Sequence, residues 1–265
     1  MSLSTLSSAV RLTEVLWALS LLVQTAEYLR LEAPLAREGV WQWAIQREEL
    51  ARAPSALRAL LDVLQTERVW HAHLLMRALL GVCLLAGFVH TWMVLVLFLG
   101  TVVILVRWRG AFNGGSDFMT LVVVTGLLIG HAATPWVGAT MAWRSGLGYI
   151  AVHTLTSYFL SGVVKLRYRG WRTGRALTSL LEGGLHGPLH RSSVFRGKRV
   201  ACVLSWVFIL WECSVPIVIC GPRWALAWCA VAPVFHFMVY WHFGLNRFFW
   251  AWCAALPALA VAFHA

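Results

Sequence analysis

The sequence is poor in charged residues, and this scarcity argues against a soluble globular protein. Only 12% of its 265 residues are Asp, Glu, Lys or Arg, whereas 60% are hydrophobic, and the mean hydropathy is +0.71. A soluble domain of this length could not cover so much apolar surface with so few charges. The composition therefore predicts an all-α integral membrane protein whose solvent is largely lipid.

Paired cysteines and metal-binding motifs are also missing from the sequence. No two of the six cysteines form a C-x-x-C pair, and all of them lie in or beside apolar stretches. They are Cys83, Cys202, Cys213, Cys220, Cys229 and Cys253. We interpret them as small hydrophobic core residues rather than as a disulfide framework. The histidines and carboxylates have no zinc or di-iron spacing, so we predict no metal, and no nucleophile elbow or phosphate-binding loop is present.

Long apolar windows are abundant. Windows of bilayer length, roughly 17–25 residues, fall near residues 10–29, 72–89, 90–107, 118–138, 146–166, 199–220, 222–241 and 246–264. They predict a bundle of about eight transmembrane helices that forms a single domain over residues 1–265. Charged residues alternate with Leu and Ala over residues 31–71, and this pattern predicts amphipathic helices that lie in the membrane interface.

Arginine accounts for most of the positive charge, and its distribution predicts the orientation of the chain. The formal net charge is +11, and basic residues concentrate in alternate connections between the apolar windows, most densely in residues 167–198. We predict that this stretch is a basic cytoplasmic loop and that both termini lie outside the cytoplasm. The expected partner of this charge is membrane lipid, not nucleic acid. The abundance of Arg, Ala and Trp suggests a bacterial inner membrane.

Lysine is rare, which makes Lys165 the leading candidate for a catalytic residue. The chain has 20 arginines but only two lysines, and Lys165 follows an apolar run. Lysine, unlike arginine, can lose its proton when buried and then act as a general base. Helical spacing places polar side chains on one face of this window: Thr154, Ser157, Ser161 and Lys165, with Tyr158 beside them. Two interpretations are open, because Lys165 either faces a polar cavity or extends to the membrane interface.

Five further polar residues lie in or beside apolar windows, where ionisable groups are costly. Asn113 and Asp117 belong to a glycine-containing turn that precedes the fourth window, and Asp117 is either functional or a helix cap. Glu212 lies within the sixth window, where a carboxylate must be paired or neutral. His236, with Asn246 shortly after it, is either a ligand-binding residue or a hydrogen-bonded core residue.

Three stretches resemble the horizontally transferred transmembrane domain family, which comprises the membrane domain of vitamin K-dependent gamma-carboxylase and its bacterial relatives. The most specific stretch is Tyr158-Phe159-x-x-Gly162-x-x-Lys165-Leu166, followed by Trp171-x-x-Gly174-x-Ala176-Leu177. The polar turn 113–117 resembles a turn that opens an earlier helix of that domain. Residues 235–236 and 244–249 resemble its late helix that carries a histidine. The resemblance covers most of the chain from about Ala72 onward.

The resemblance implies an enzyme that uses a reduced, vitamin K-like quinone and oxygen to generate a strong base or oxidant. In the carboxylase, the lysine of this motif is thought to deprotonate the quinol, and this role would fall on Lys165. Residues that would bind the quinol or support the lysine are Asn113, Asp117, Tyr158, Ser161, Trp171, Glu212, His236 and Asn246. The expected partner is a peptide or small substrate, or a separately encoded soluble protein. The alternative is a non-catalytic membrane partner in the maturation or export of a secreted peptide.

Overall fold

The chain folds into a helical bundle. A computed structural model describes residues 3–31, 39, 41–108, 114–190 and 192–264. In chain order, the α-helices are α1 (Leu3–Arg30), α2 (Trp43–Glu48), α3 (Ser55–Leu64), α4 (Glu67–Ala86), α5 (Thr91–Trp108), α6 (Gly114–Val137), α7 (Ala139–Arg167), α8 (Arg169–Arg172), α9 (Arg175–Glu182), α10 (Lys198–Cys213), α11 (Pro222–Phe243) and α12 (Asn246–Val261). Short 3₁₀ turns cover Val194–Arg196, Val215–Ile219 and Ala262–His264.

Eight of the described helices are long and apolar enough to cross a membrane. They are α1, α4, α5, α6, α7, α10, α11 and α12, with α10 extended by the turn Val215–Ile219. This result confirms the predicted all-α, multi-pass membrane fold. Spanning helices alternate in direction, so α1, α5, α7 and α11 end at the same face of the bundle. We call this the arginine-rich face, because it carries the connections that contain most of the arginines.

Two predicted boundaries are wrong in the same way. Helix α4 begins at Glu67, so residues 67–71 of the predicted interfacial segment 31–71 belong to a spanning helix. Helix α7 begins at Ala139, seven residues before the predicted window. In both places a charged residue interrupts the apolar pattern, although backbone hydrogen bonds continue and the charged side chain extends outward. Residues 32–38 and 40 of the interfacial segment lie outside the described residues.

The helices α2 and α3 lie in the predicted interfacial segment, whose position at the membrane surface stays a prediction. Both carboxylate oxygens of Asp62 accept hydrogen bonds from Arg47, at 2.7 and 2.8 Å, and one also accepts the Trp43 indole N–H at 2.8 Å. These donors lower the pKa of Asp62, because they favour the charged carboxylate. Apolar side chains on α3, including Leu57 and Leu60, are exposed. An exposed apolar stripe beside paired charges is typical of a helix that lies in the interface.

Close packing between α6 and α7 depends on glycine. A Cβ added to Gly146 would lie 2.4 Å from the Gly126 carbonyl oxygen, and one added to Gly130 would lie 2.3 Å from the Trp143 ring. Only glycine permits this approach of two helices, and small residues serve this purpose widely in membrane proteins. The tight contact makes α6 and α7 a paired unit, from which α7 extends toward the arginine-rich face.

Helix α1 lies inside the bundle and contacts α4, α6, α7 and α12. Its Trp17, Ala18 and Leu21 side chains are fully buried in the main core. Buried polar residues, including Glu14 and Gln24, also lie along this helix. The first spanning helix is therefore a core element, in which buried polar groups need partners from its neighbours.

Candidate functional site

Helices α7 and α10 approach each other closely at Gly162. A Cβ at this position would lie 2.7 Å from the Cys213 sulfur and 2.8 Å from the Cys213 backbone nitrogen. Glycine is required because no side chain fits between these two backbones. The contact places Lys165, one turn further along α7, beside Glu212, the residue before Cys213.

Lys165 and Glu212 form a buried ion pair. The lysine Nζ donates to both carboxylate oxygens, at 2.7 and 2.6 Å, and to Ser161 Oγ at 2.6 Å. The side chain of Lys165 is 16% exposed and that of Glu212 is 4% exposed. The ammonium therefore points toward α10 rather than out to the membrane interface. Each N–H of the ammonium has an oxygen acceptor within hydrogen-bond distance.

The chain after α7 folds back so that Trp171 covers this ion pair. The indole ring of Trp171 lies 5.2 Å from the Lys165 ammonium, which is within the range of a cation–π contact. Two side chains of α10 fix this part of the chain: Ser205 donates to the Trp171 carbonyl and Trp206 donates to the Arg172 carbonyl. Four of the predicted site residues thus lie in one cluster: Lys165, Ser161, Trp171 and Glu212.

Tyr158 and His236 form a second polar pair, near the first. Tyr158 precedes Ser161 by one turn of α7, and its hydroxyl is hydrogen-bonded to His236 Nε2. The two residues are 3% and 1% exposed. If the phenol donates to Nε2, the imidazole proton lies on Nδ1, which has no partner among the described residues.

Tryptophan rings enclose Tyr158 on several sides. The ring centroids of Trp211, Trp228 and Trp252 lie 5.4, 4.8 and 4.8 Å from that of Tyr158. The indole N–H groups of Trp211 and Trp252 are buried and, like His236 Nδ1, lack an acceptor among the described residues. Trp211 precedes Glu212 in the chain, so this aromatic cluster adjoins the ion pair. The cluster presents flat apolar surfaces together with unused hydrogen-bond donors.

The remaining candidates lie elsewhere. Asp117 and Asn246 belong to a charge cluster at the arginine-rich face, where Arg247 links α12 to α1 and α6. Arg247 lies 3.1 Å from the Glu27 carboxylate and 3.6 Å from that of Asp117, and Asn246 donates to Glu27 at 3.2 Å. The structure therefore does not place Asp117 or Asn246 against the lysine. Asn113 lies outside the described residues.

Arg77 is a buried charge that sequence reasoning missed. It is 2% exposed in the middle of α4, and its guanidinium donates to Gln24 at 3.0 Å. Gln24 in turn donates to Thr120 at 2.8 Å. A single arginine in an apolar window does not disturb a hydropathy pattern. Its signal lies in the three-residue spacing of Gln24 and Glu27 on α1, which predicts a polar helix face that needs a buried cation.

No protein-family model matches this chain, and no curated protein or solved structure matches it. The described residues contain no group of three or more His, Cys, Asp and Glu side chains that could hold a metal ion.

Proposed function

We propose that this protein is a membrane enzyme that resembles vitamin K-dependent gamma-carboxylase and uses a lipid-soluble quinol and oxygen to generate a strong base or oxidant. Lys165 is its proton acceptor. One observation carries the proposal: the Lys165–Glu212 pair lies beside an aromatic cluster in which three buried ring nitrogens, on Trp211, Trp252 and His236, have no hydrogen-bond partner among the described residues. The proposed location is the bacterial inner membrane, and the proposed substrate is a peptide or small molecule.

The ion pair supplies a base for a lipid-soluble quinol. Moving a proton from Lys165 Nζ to the nearest Glu212 oxygen, 2.6 Å away, leaves two neutral groups. In a site shielded from water, this neutral pair avoids the cost of two buried charges. The free amine then has a lone pair with which to accept a proton from an acidic hydroxyl, while Ser161 Oγ remains a hydrogen-bond partner.

In this proposal a planar ligand that carries oxygen acceptors binds at the neighbouring aromatic cluster, whose closely packed rings must part to admit it. Trp211 and Trp252 offer N–H donors, and His236 offers Nδ1, to the two oxygens of a quinone ring. Tryptophan rings supply apolar faces for stacking. A quinol bound there would provide two electrons and two protons for the reduction of oxygen.

Each supporting residue has a role within this proposal. Glu212 holds the proton that Lys165 must give up before it can act as a base. Trp171 covers the ammonium and limits the access of water. Tyr158 is hydrogen-bonded to His236 Nε2, and when its hydroxyl is the donor the imidazole proton lies on Nδ1, where it is available to a ligand.

The test is quinol-dependent oxygen consumption by the purified protein in lipid nanodiscs. The decisive variant is Lys165→Arg, which keeps the positive charge opposite Glu212 but cannot lose its proton. We expect this variant to fold as the wild type does and to lose oxygen consumption. Lys198→Arg is the matched control, because Lys198 is exposed and should tolerate the change. Full activity in Lys165→Arg would refute the proton-acceptor role, and an inactive wild type would refute the quinol reaction.

A non-catalytic role in the maturation or export of a secreted peptide is the second candidate. The hydrogen bonds of Lys165 favour it, because each N–H of the ammonium already has an acceptor, as in a purely structural ion pair. Under this alternative, Lys165→Arg retains the amount of matured or exported peptide in cells. The same variant therefore distinguishes the two functions.

A further inference from the structure

The segment between α7 and α10 is densely basic and exposed. Its described cationic residues all lie at the surface: Arg167, Arg169, Arg172, Arg175, Arg196, Lys198 and Arg199. The acidic residue Glu182 is paired with Arg196 at 2.9 Å, so it neutralises one of these positive charges and leaves the others. Both ends of the segment join helices long enough to span the membrane, which holds it at the bilayer surface.

Large apolar side chains lie exposed among these cations. Leu180 on α9 is 45% exposed and Leu185 is 68% exposed, whereas Val194 and Phe195 in the following 3₁₀ turn are 70% and 47% exposed. Leu177, one turn before Leu180 on α9, is buried in the protein. Basic residues interspersed with exposed apolar ones are typical of a segment that lies in the membrane interface.

We propose that this basic segment docks onto anionic lipid headgroups, with Val194 and Phe195 inserted into the bilayer, and that docking holds Trp171 over Lys165. Charge complementarity identifies the occupant, because clustered cations next to a membrane are attracted to acidic lipids. The segment is fixed at a membrane surface at both ends, which makes the bilayer the nearest partner. The second half of this inference, the effect on Lys165, rests on the proposed function.

The link to the site runs through α8. Arg169 and Arg172 flank Trp171 and are exposed, whereas the Trp171 ring contacts the ammonium. A Cβ at Gly174 would lie 2.5 Å from the Cys202 backbone nitrogen, so this part of the segment packs directly against α10. Headgroups that bind the two arginines would therefore press the indole against Lys165 and exclude water from the ion pair.

The docking test uses a coumarin amino acid incorporated in place of Phe195, in vesicles that contain nitroxide-labelled lipid as a quencher. Vesicles of phosphatidylcholine alone are compared with vesicles that also contain phosphatidylglycerol. We expect quenching to increase with phosphatidylglycerol and to fall at high salt. Lys198→Gln with Arg199→Gln should weaken docking on the order of tenfold. The same probe in place of Trp136, which is 86% exposed at the opposite face, is the control and should not respond.

Each outcome decides one part of the proposal. A probe that stays unquenched in both lipids overturns docking and leaves the surface to a soluble acidic partner. Equal quenching in both lipids overturns the role of charge. If the segment docks but oxygen consumption does not depend on phosphatidylglycerol, the proposed effect on Lys165 is overturned. Because the fluorescence readout needs no turnover, failure of the proposed reaction leaves the docking result intact.

Discussion

Removing Lys165 alone should destabilise the protein more than removing both Lys165 and Glu212. Lys165→Met leaves the Glu212 carboxylate, whose side chain is 4% exposed, with Ser161 Oγ at 3.3 Å as its remaining hydrogen-bond partner among the described residues. Breaking a buried ion pair typically costs about 3–5 kcal/mol, because a buried charge is left without compensation. We expect a loss of about 3 kcal/mol, which corresponds to roughly 6–12 °C in Tm for a domain of this size.

Glu212→Gln should cost less than Lys165→Met. Lys165 is 16% exposed and lies two residues before the end of α7, so its ammonium can reach water by rotating outward. We expect a loss of about 1–2 kcal/mol for this variant. The double variant, with Met and Gln facing each other, should recover at least part of the loss seen in Lys165→Met, because no buried charge is left unpaired.

Thermal unfolding of the four proteins in the same detergent measures this cycle, with the heating rate held constant. The reasoning is refuted if the double variant is less stable than Lys165→Met, or if neither single variant differs from the wild type. Either result would mean that the pair is hydrated and contributes no more than a surface ion pair.

Three further substitutions test other parts of the structure. Tyr158→Phe leaves His236 Nε2 without its hydrogen-bond partner in the core and should cost about 1–3 kcal/mol in thermal unfolding; unchanged stability would show that the imidazole finds another partner. Gly162→Ala should push α7 away from α10 and lower both stability, by about 1–3 kcal/mol, and oxygen consumption, whereas Gly148→Ala, whose Cβ would meet nothing within 4 Å, should be tolerated. Asp62→Asn should raise trypsin cleavage in α2. In the wild type, hydrogen-exchange protection of α2 should hold from neutral pH down to 3.8, the ordinary carboxyl pKa, and fall only in stronger acid, because the pKa of Asp62 is lowered. Loss of protection above pH 3.8 would contradict this role of Asp62.

The spanning helices could be predicted from the sequence because apolar length is a local property. The partners inside the bundle could not, since they depend on which helices meet. Lys165 and Glu212 were each identified as costly in lipid, yet they lie 47 residues apart and their contact depends on the absence of a side chain at Gly162. Asp117 was grouped with them by residue type, but helix packing assigns it to Arg247 instead.

The contact between α1 and α12 has a consequence for how the protein is made. Arg247 donates to the Tyr28 hydroxyl, 219 residues earlier in the chain, at 2.7 Å. At a synthesis rate of roughly 5–20 residues per second, about 10–40 seconds pass between the two. Over that interval the first helix is in the translocon or the bilayer without the cation that binds Glu27. A nascent chain at this stage should need protection from quality-control proteases, and a stop codon just before Asn246 should be as damaging to accumulation as one much earlier.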